Sequence, residues 1–140
     1  MADTGVETGI SSAAVMRASD AMLRAMGGCQ IFLVMPLLAM PNDPSAQLGL
    51  VDPGVQQVAL SPVVVRSLAV PASGPRRRLE FLISGSAVAA ALTSQNAPSA
   101  DALFEGSLGV VFGNDRFHIE SVTPEHFAGA AYLYKVTAVD

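Results

Sequence analysis

Charge is scarce in this sequence, and cysteine and histidine are scarcer still. Charged residues make up 14% of the 140-residue chain, against about 25% in an ordinary soluble domain. A monomer so thinly charged is poorly solvated. Part of its surface is then covered by copies of itself or by a partner, unless the 51% hydrophobic content only reflects a taste for alanine. The lone cysteine, Cys29, excludes an intramolecular disulfide and a cysteine metal cluster, which fits a reducing compartment. Its neighbours Ile31 and Leu33 make it an inert strand cysteine. No apolar run is long enough to span a bilayer: Cys29 to Met40 is interrupted by Pro36 and followed by Pro41, where about 20 residues are needed. MADTGVETG at the N-terminus carries two acids and no base, unlike a signal peptide, so synthesis inside the cell is expected. A net charge of −4 argues against a free-standing nucleic-acid binder.

What is there is unevenly spread. Between Arg24 and Arg66 the only charged residues are Asp43 and Asp52. The same interval carries Met35, Leu37, Leu38, Met40, Leu48, Leu50 and Val51. All six methionines fall in the first forty residues, and methionine is an adaptable contact residue as well as a core filler. The one dense basic run, Arg76, Arg77 and Arg78, follows the turn sequence PASGP and leads into a strand. It reads as a solvated strand entry or as a contact for phosphate or an acidic partner.

One domain of 140 residues is expected, with residues 1–10 a flexible tail. Residues 11–27 predict a helix: Val15, Ala18, Met22 and Met26 recur every three or four positions, Ser11 or Ser12 caps the start, and Gly27-Gly28 stops it. Residues 29–140 predict a small antiparallel β-barrel with a long inserted loop over 36–54. CQIFLVMPLLA is a strand, broken or turned at Pro36. Val55 to Val70 is β-prone, with Pro62 marking an edge, a bulge or a break. RRRLEFLIS places Leu79, Phe81 and Ile83 on one face. SAVAAALTSQN is a short helix capped by Ser84 or Ser86, and PSADALFEG adds a helical turn capped by Ser99. Leu108 to Phe112, Gly113-Asn114-Asp115 and Arg116 to Val122 form a hairpin. Thr123-Pro124-Glu125-His126, with a cap residue, a proline and an acid, predicts a single helical turn, and Ala130 to Val139 the closing strand. The fold class is mainly β, with an N-terminal helix and a short helix between strands.

The chemistry-bearing side chains concentrate between Phe112 and Val136. Alternation puts Phe117 and Ile119 on the core face and Arg116, His118 and Glu120 on the other. A zinc site needs three or four convergent ligands, and nothing fixes the distance from His118 to His126, so no metal or cofactor site is assigned. No Gly-x-Ser-x-Gly elbow occurs; SGSAV, from Ser84 to Val88, shifts the glycine. No catalytic residue is assigned, and the chain is not read as an enzyme. Tyr132, Tyr134 and Val136 share a face of the last strand that covers the core or docks a neighbour, tyrosine being enriched in interfaces.

The closing segment GSLGVVFGNDRFHIESVTPEHFAGAAYLYKVTAVD, with its hairpin, its ESVTPEHF stretch and its aromatic last strand, resembles the end of the small head-closure or head–tail connector (neck) proteins of tailed bacteriophages and prophages. The barrel-like part runs from Val55 to Asp140. Met35 to Gly54 is similar to the family's inserted loop in position and length, while the N-terminal helix departs from many of its members. The resemblance implies a non-enzymatic, cofactor-free virion subunit, met in the particle or in the host cytoplasm during assembly. It also implies a ring of copies that meets portal or adaptor and tail proteins, with a non-specific contact to packaged DNA and none to membrane. The interface residues would be Met35, Leu37, Leu38, Met40, Leu48, Leu50, Val51, Tyr132 and Tyr134, with Arg76–Arg78 facing DNA or acidic surface. Tail-completion and tail-terminator proteins share such strand patterns, and a small ligand-binding barrel remains a second class.

Overall fold

The structure, a computed structural model, describes residues 11–37, 54–74 and 76–140. Helix α1 (Ser12–Ala25) leads into strand β1 (Cys29–Pro36) and, after the undescribed stretch, β2 (Val55–Leu68). Strand β3 (Arg78–Ser84), helices α2 (Gly85–Gln95) and α3 (Ala100–Glu105), and strands β4 (Gly109–Phe112), β5 (Asp115–Phe127) and β6 (Ala130–Val139) follow. The six strands close into an antiparallel barrel in the order β1-β2-β3-β6-β5-β4, the expected fold class. Closure removes the sheet edges wherever neighbours run the full length.

Alternation builds the interior. Ile31 and Leu33, Val58 and Leu60, Leu79, Phe81 and Ile83, and Tyr134, Val136 and Ala138 all point inward and are buried, as period-2 side chains on a one-sided sheet must. Val110 and Phe117 complete the ring. Phe81 meets Phe112 and Phe117 edge to face, with centroids 6.0 and 6.2 Å apart, a favoured aromatic geometry. From α2 and α3, Val88, Ala91, Leu103 and Phe104 join the same core, so these helices cover the end of the barrel at which β3 finishes. The β1–β2 and β5–β6 connections emerge at that end. The β2–β3 and β4–β5 turns and Asp140 lie at the other, because the strands are antiparallel throughout.

Caps appear where the sequence places them. Ser11, Ser84 and Ser99 each accept a hydrogen bond from the backbone N–H three residues on, at 3.2, 3.0 and 3.1 Å. Helix α1 ends as a Schellman motif: Gly28 N–H reaches the Leu23 carbonyl at 2.9 Å and Gly27 N–H that of Arg24 at 3.1 Å. Gly27 takes φ +84°, which costs glycine nothing. Gly85 answers a different need, since a Cβ there would lie 2.2 Å from the Ala131 carbonyl oxygen of β6.

Two expectations change, and one open alternative is decided. Thr123-Pro124-Glu125-His126 is not a helical turn but the end of β5, with Pro124 opposite Tyr134 and Glu125 opposite Leu133; the long partner strand overrides the local capping signature. Of the readings open for Pro62, the bulge is the one that fits, within a single strand Val55–Leu68. Pro62 sits where the β1–β2 register slips between Cys29↔Val63 and Ile31↔Leu60, so the missing N–H falls at an irregularity in the ladder. The α1 stripe is also displaced. Ser19 and Leu23 are its buried residues, whereas Met22 and Met26 are 54% and 55% exposed. Ser19 is admitted because its hydroxyl donates to the Tyr132 carbonyl at 3.1 Å, which satisfies an otherwise costly buried polar group.

Candidate functional site

The segment rich in titratable groups becomes a long strand, and this disperses them. His118 stands opposite Val139 and His126 opposite Ala131. Eight residues of strand separate the two by roughly 25 Å. Both are exposed. Among the described residues no group of three histidine, cysteine or acidic side chains could hold a metal ion. Ser84, in the shifted-glycine lookalike, is fully buried and occupied as the α2 cap; its hydroxyl lies 3.1 Å from that of Ser86. Cys29 is half-buried, and burial pushes its thiol up, against a smaller opposing backbone hydrogen bond. The thiolate that nucleophilic chemistry requires is therefore suppressed at neutral pH.

The basic run meets acids of its own chain. Arg77 bonds Asp115 at 2.7 Å and Asp140 at 3.1 Å, and its guanidinium lies 4.9 Å from the Phe117 ring centroid, a cation–π distance. Arg78 pairs with Glu120 at 2.9 Å, and Arg76 reaches Asp140 at 3.7 Å. Burial alone would raise the Asp140 carboxyl, but hydrogen bonds from the Arg77 backbone and guanidinium and the charges of Arg76 and Arg77 hold it below the usual carboxylate range. The two hydrogen-bonded carboxylates in turn raise Arg77. Only the Arg76 side chain, 89% exposed, stands well clear into solvent. This end of the barrel is thus closed by ions over an aromatic ring.

The apolar interface candidates divide. Met35 is partly buried and packs on the core. Leu37 is 39% exposed at the mouth of the β1–β2 connection, where its N–H bonds the Gly54 carbonyl at 3.1 Å. Leu38, Met40, Leu48, Leu50 and Val51 lie outside the described residues. Tyr132 is half-buried. Tyr134 is a core residue, 9% exposed and 6.0 Å from Phe104 between ring centroids; burial, then the nearby Asp101 charge, pushes its phenol up. Val55, which belongs to the same apolar, charge-poor interval of sequence, is 54% exposed beside Leu37, and Phe127, which the sequence did not single out, is 40% exposed at the β5–β6 turn. Both are strand-end positions that alternation leaves unassigned.

The barrel interior is filled by side chains, so concavity lies outside it. Strand β4 pairs only with Asp115–Phe117 of β5, and α3 stands beside the remainder. Between α3 and the His118–Val122 part of β5 runs a groove of about 420 Å³, with Phe104, Leu108 and Ile119 as apolar lining and Asp101, Glu105 and Glu120 as acids. His118, Ser107 and Ser121 also line it, so the groove is a mixed surface, more polar than apolar, in which three acids outnumber one histidine. Among the described residues no helix is long and apolar enough to cross a membrane. No family model, curated protein or solved structure matches the chain.

Proposed function

We propose that this chain is a structural subunit of a tailed-phage or prophage particle, forming a ring at the head–tail junction through contacts between copies. The observation that carries the reading is the β1–β2 connection. Leu37 and Val55 flank it and are exposed, and the sequence between them adds Leu38, Met40, Leu48, Leu50 and Val51 with only Asp43 and Asp52 as charges. Exposed Leu37 and Val55 at the rim of a filled barrel, joined by sequence of this apolar density, suit burial against a neighbour. The resemblance of the closing segment to head-closure and connector proteins supplies the choice of particle. Tail completion and tail termination are related roles that the same barrel suits.

The test is assembly. Sedimentation and electron microscopy of the purified chain, alone and with portal and tail-side partners, are expected to show a ring. Leu37→Asp with Val55→Asp is expected to leave a folded monomer. A native chain that stays monomeric in every mixture rejects the reading. Unfolding of the double variant would assign Leu37 and Val55 to the core instead.

A further inference from the structure

The charged groups of the barrel largely cancel in place. Arg66 pairs with Glu80, Arg76 with Asp140, Arg77 with Asp115 and Asp140, and Arg78 with Glu120. Among the described residues Arg17, Arg24, Arg116, Lys135, Asp20, Asp101, Glu105 and Glu125 stand outside these pairs. Asp20 is taken by the Ser86 hydroxyl and Arg116 by the Leu108 carbonyl, and two like-charged couples remain on helices. Arg17 and Arg24 on α1 meet no acid among the described residues, and Asp101 and Glu105 on α3 meet no base.

Each pair stands beside apolar surface. On α1 the exposed residues form one outward face: Arg17 and Arg24, about two turns apart, line one flank and Met22 and Met26 the other. Ala18, Ala21 and Ala25 lie between them and let another surface approach closely. Asp101 and Glu105, one turn apart, flank the α3–β5 groove, where Leu108 is 42% exposed. The two surfaces occupy different sectors of the barrel. Helix α1 lies against β2, β3 and β6, and the groove lies on β5 beside the short strand β4.

We infer that the outward face of α1 docks into the α3–β5 groove of a second copy of this chain, Arg17 and Arg24 meeting Asp101 and Glu105 while Met22 and Met26 cover apolar groove lining. Patch and counter-patch differ and lie in different sectors; engaged one per neighbour, they make a heterologous, head-to-tail contact that generates a closed ring or an open filament. The inference rests on the ring reading and names the contact that would build it. Opposed charges fix register and exclude the face-to-face alternatives of α1 on α1 and groove on groove.

Charge exchange tests it. Arg17→Glu with Arg24→Glu gives a chain acidic on both surfaces, and Asp101→Lys with Glu105→Lys gives one basic on both. Each alone is expected to associate more weakly than the native chain by roughly tenfold or more. An equimolar mixture is expected to recover association, because each variant presents the face the other needs. Circular dichroism checks folding, and Glu105→Lys alone replaces the double variant if loss of Asp101 unravels α3. Variants that assemble as the native chain does, or that stay apart on mixing, overturn the contact while leaving the ring reading intact. A native chain that never associates overturns both.

Discussion

Asp20 on α1 accepts a 2.6 Å hydrogen bond from the Ser86 hydroxyl in the first turn of α2. The bond fastens an outer helix to the start of the helix that covers the barrel. It also sets a carboxylate at a helix N-terminus, where negative charge is stabilising. Together with Ser19 on the Tyr132 carbonyl, it fixes how α1 lies on the sheet. Asp20→Ala is expected to cost about 1–2 kcal/mol, as loss of a partly buried charge-assisted hydrogen bond does. Urea denaturation checks it, and Asp20→Asn should recover part of the loss.

Gly85 separates steric from conformational demands. Its own backbone needs no left-handed geometry, yet any Cβ would press on β6 at the Ala131 carbonyl. Gly85→Ala is expected to destabilise the fold by about 3 kcal/mol, at the upper end of overpacking costs. Gly113→Ala, at φ +63° with open space around it, should cost only about 1–2 kcal/mol. Comparing the two midpoints in one denaturant series decides the matter.

Asp140 gives a pH signature. Its folded carboxyl titrates below the ordinary range, so its contribution to stability is complete above the unfolded value near pH 4. That contribution is lost as pH falls through the lower folded value. Asp140→Asn is therefore expected to melt below the native chain at pH 7 and to match it in strong acid. A gap that persists at low pH would point to packing and not to charge.

Cys29 should be slow. Burial raises its thiol, and alkylation at neutral pH is expected to lag well behind a free cysteine in the native chain. It should reach the free rate in denaturant, as followed by mass spectrometry.

Much of the barrel was legible because alternation is a local signal. Leu79, Phe81 and Ile83 declare their face within a few residues, and so do Phe117 and the Gly113-Asn114 turn. The failures share one cause, a distant partner. The Thr123–His126 signature asks for a helix until β6 is long enough to pair with it. Ser19 looks like a surface residue until the Tyr132 carbonyl reaches it. The α3–β5 groove was invisible because β4 is short and covers only Asp115–Phe117 of β5, leaving α3 beside the His118–Val122 part, and no spacing in the sequence encodes that meeting.

The barrel has two lids of unlike chemistry, and it can therefore be opened from either end by a different agent. The helical lid, held by Val88, Leu103 and Phe104, depends on water's aversion to hydrocarbon and loosens in the cold or in urea. The ionic lid, Arg77 with Asp115, Asp140 and Phe117, is indifferent to both at first order and yields to acid and salt. A single melting temperature would conceal this. Hydrogen exchange in mild acid and in mild urea should fray opposite ends of the same six strands.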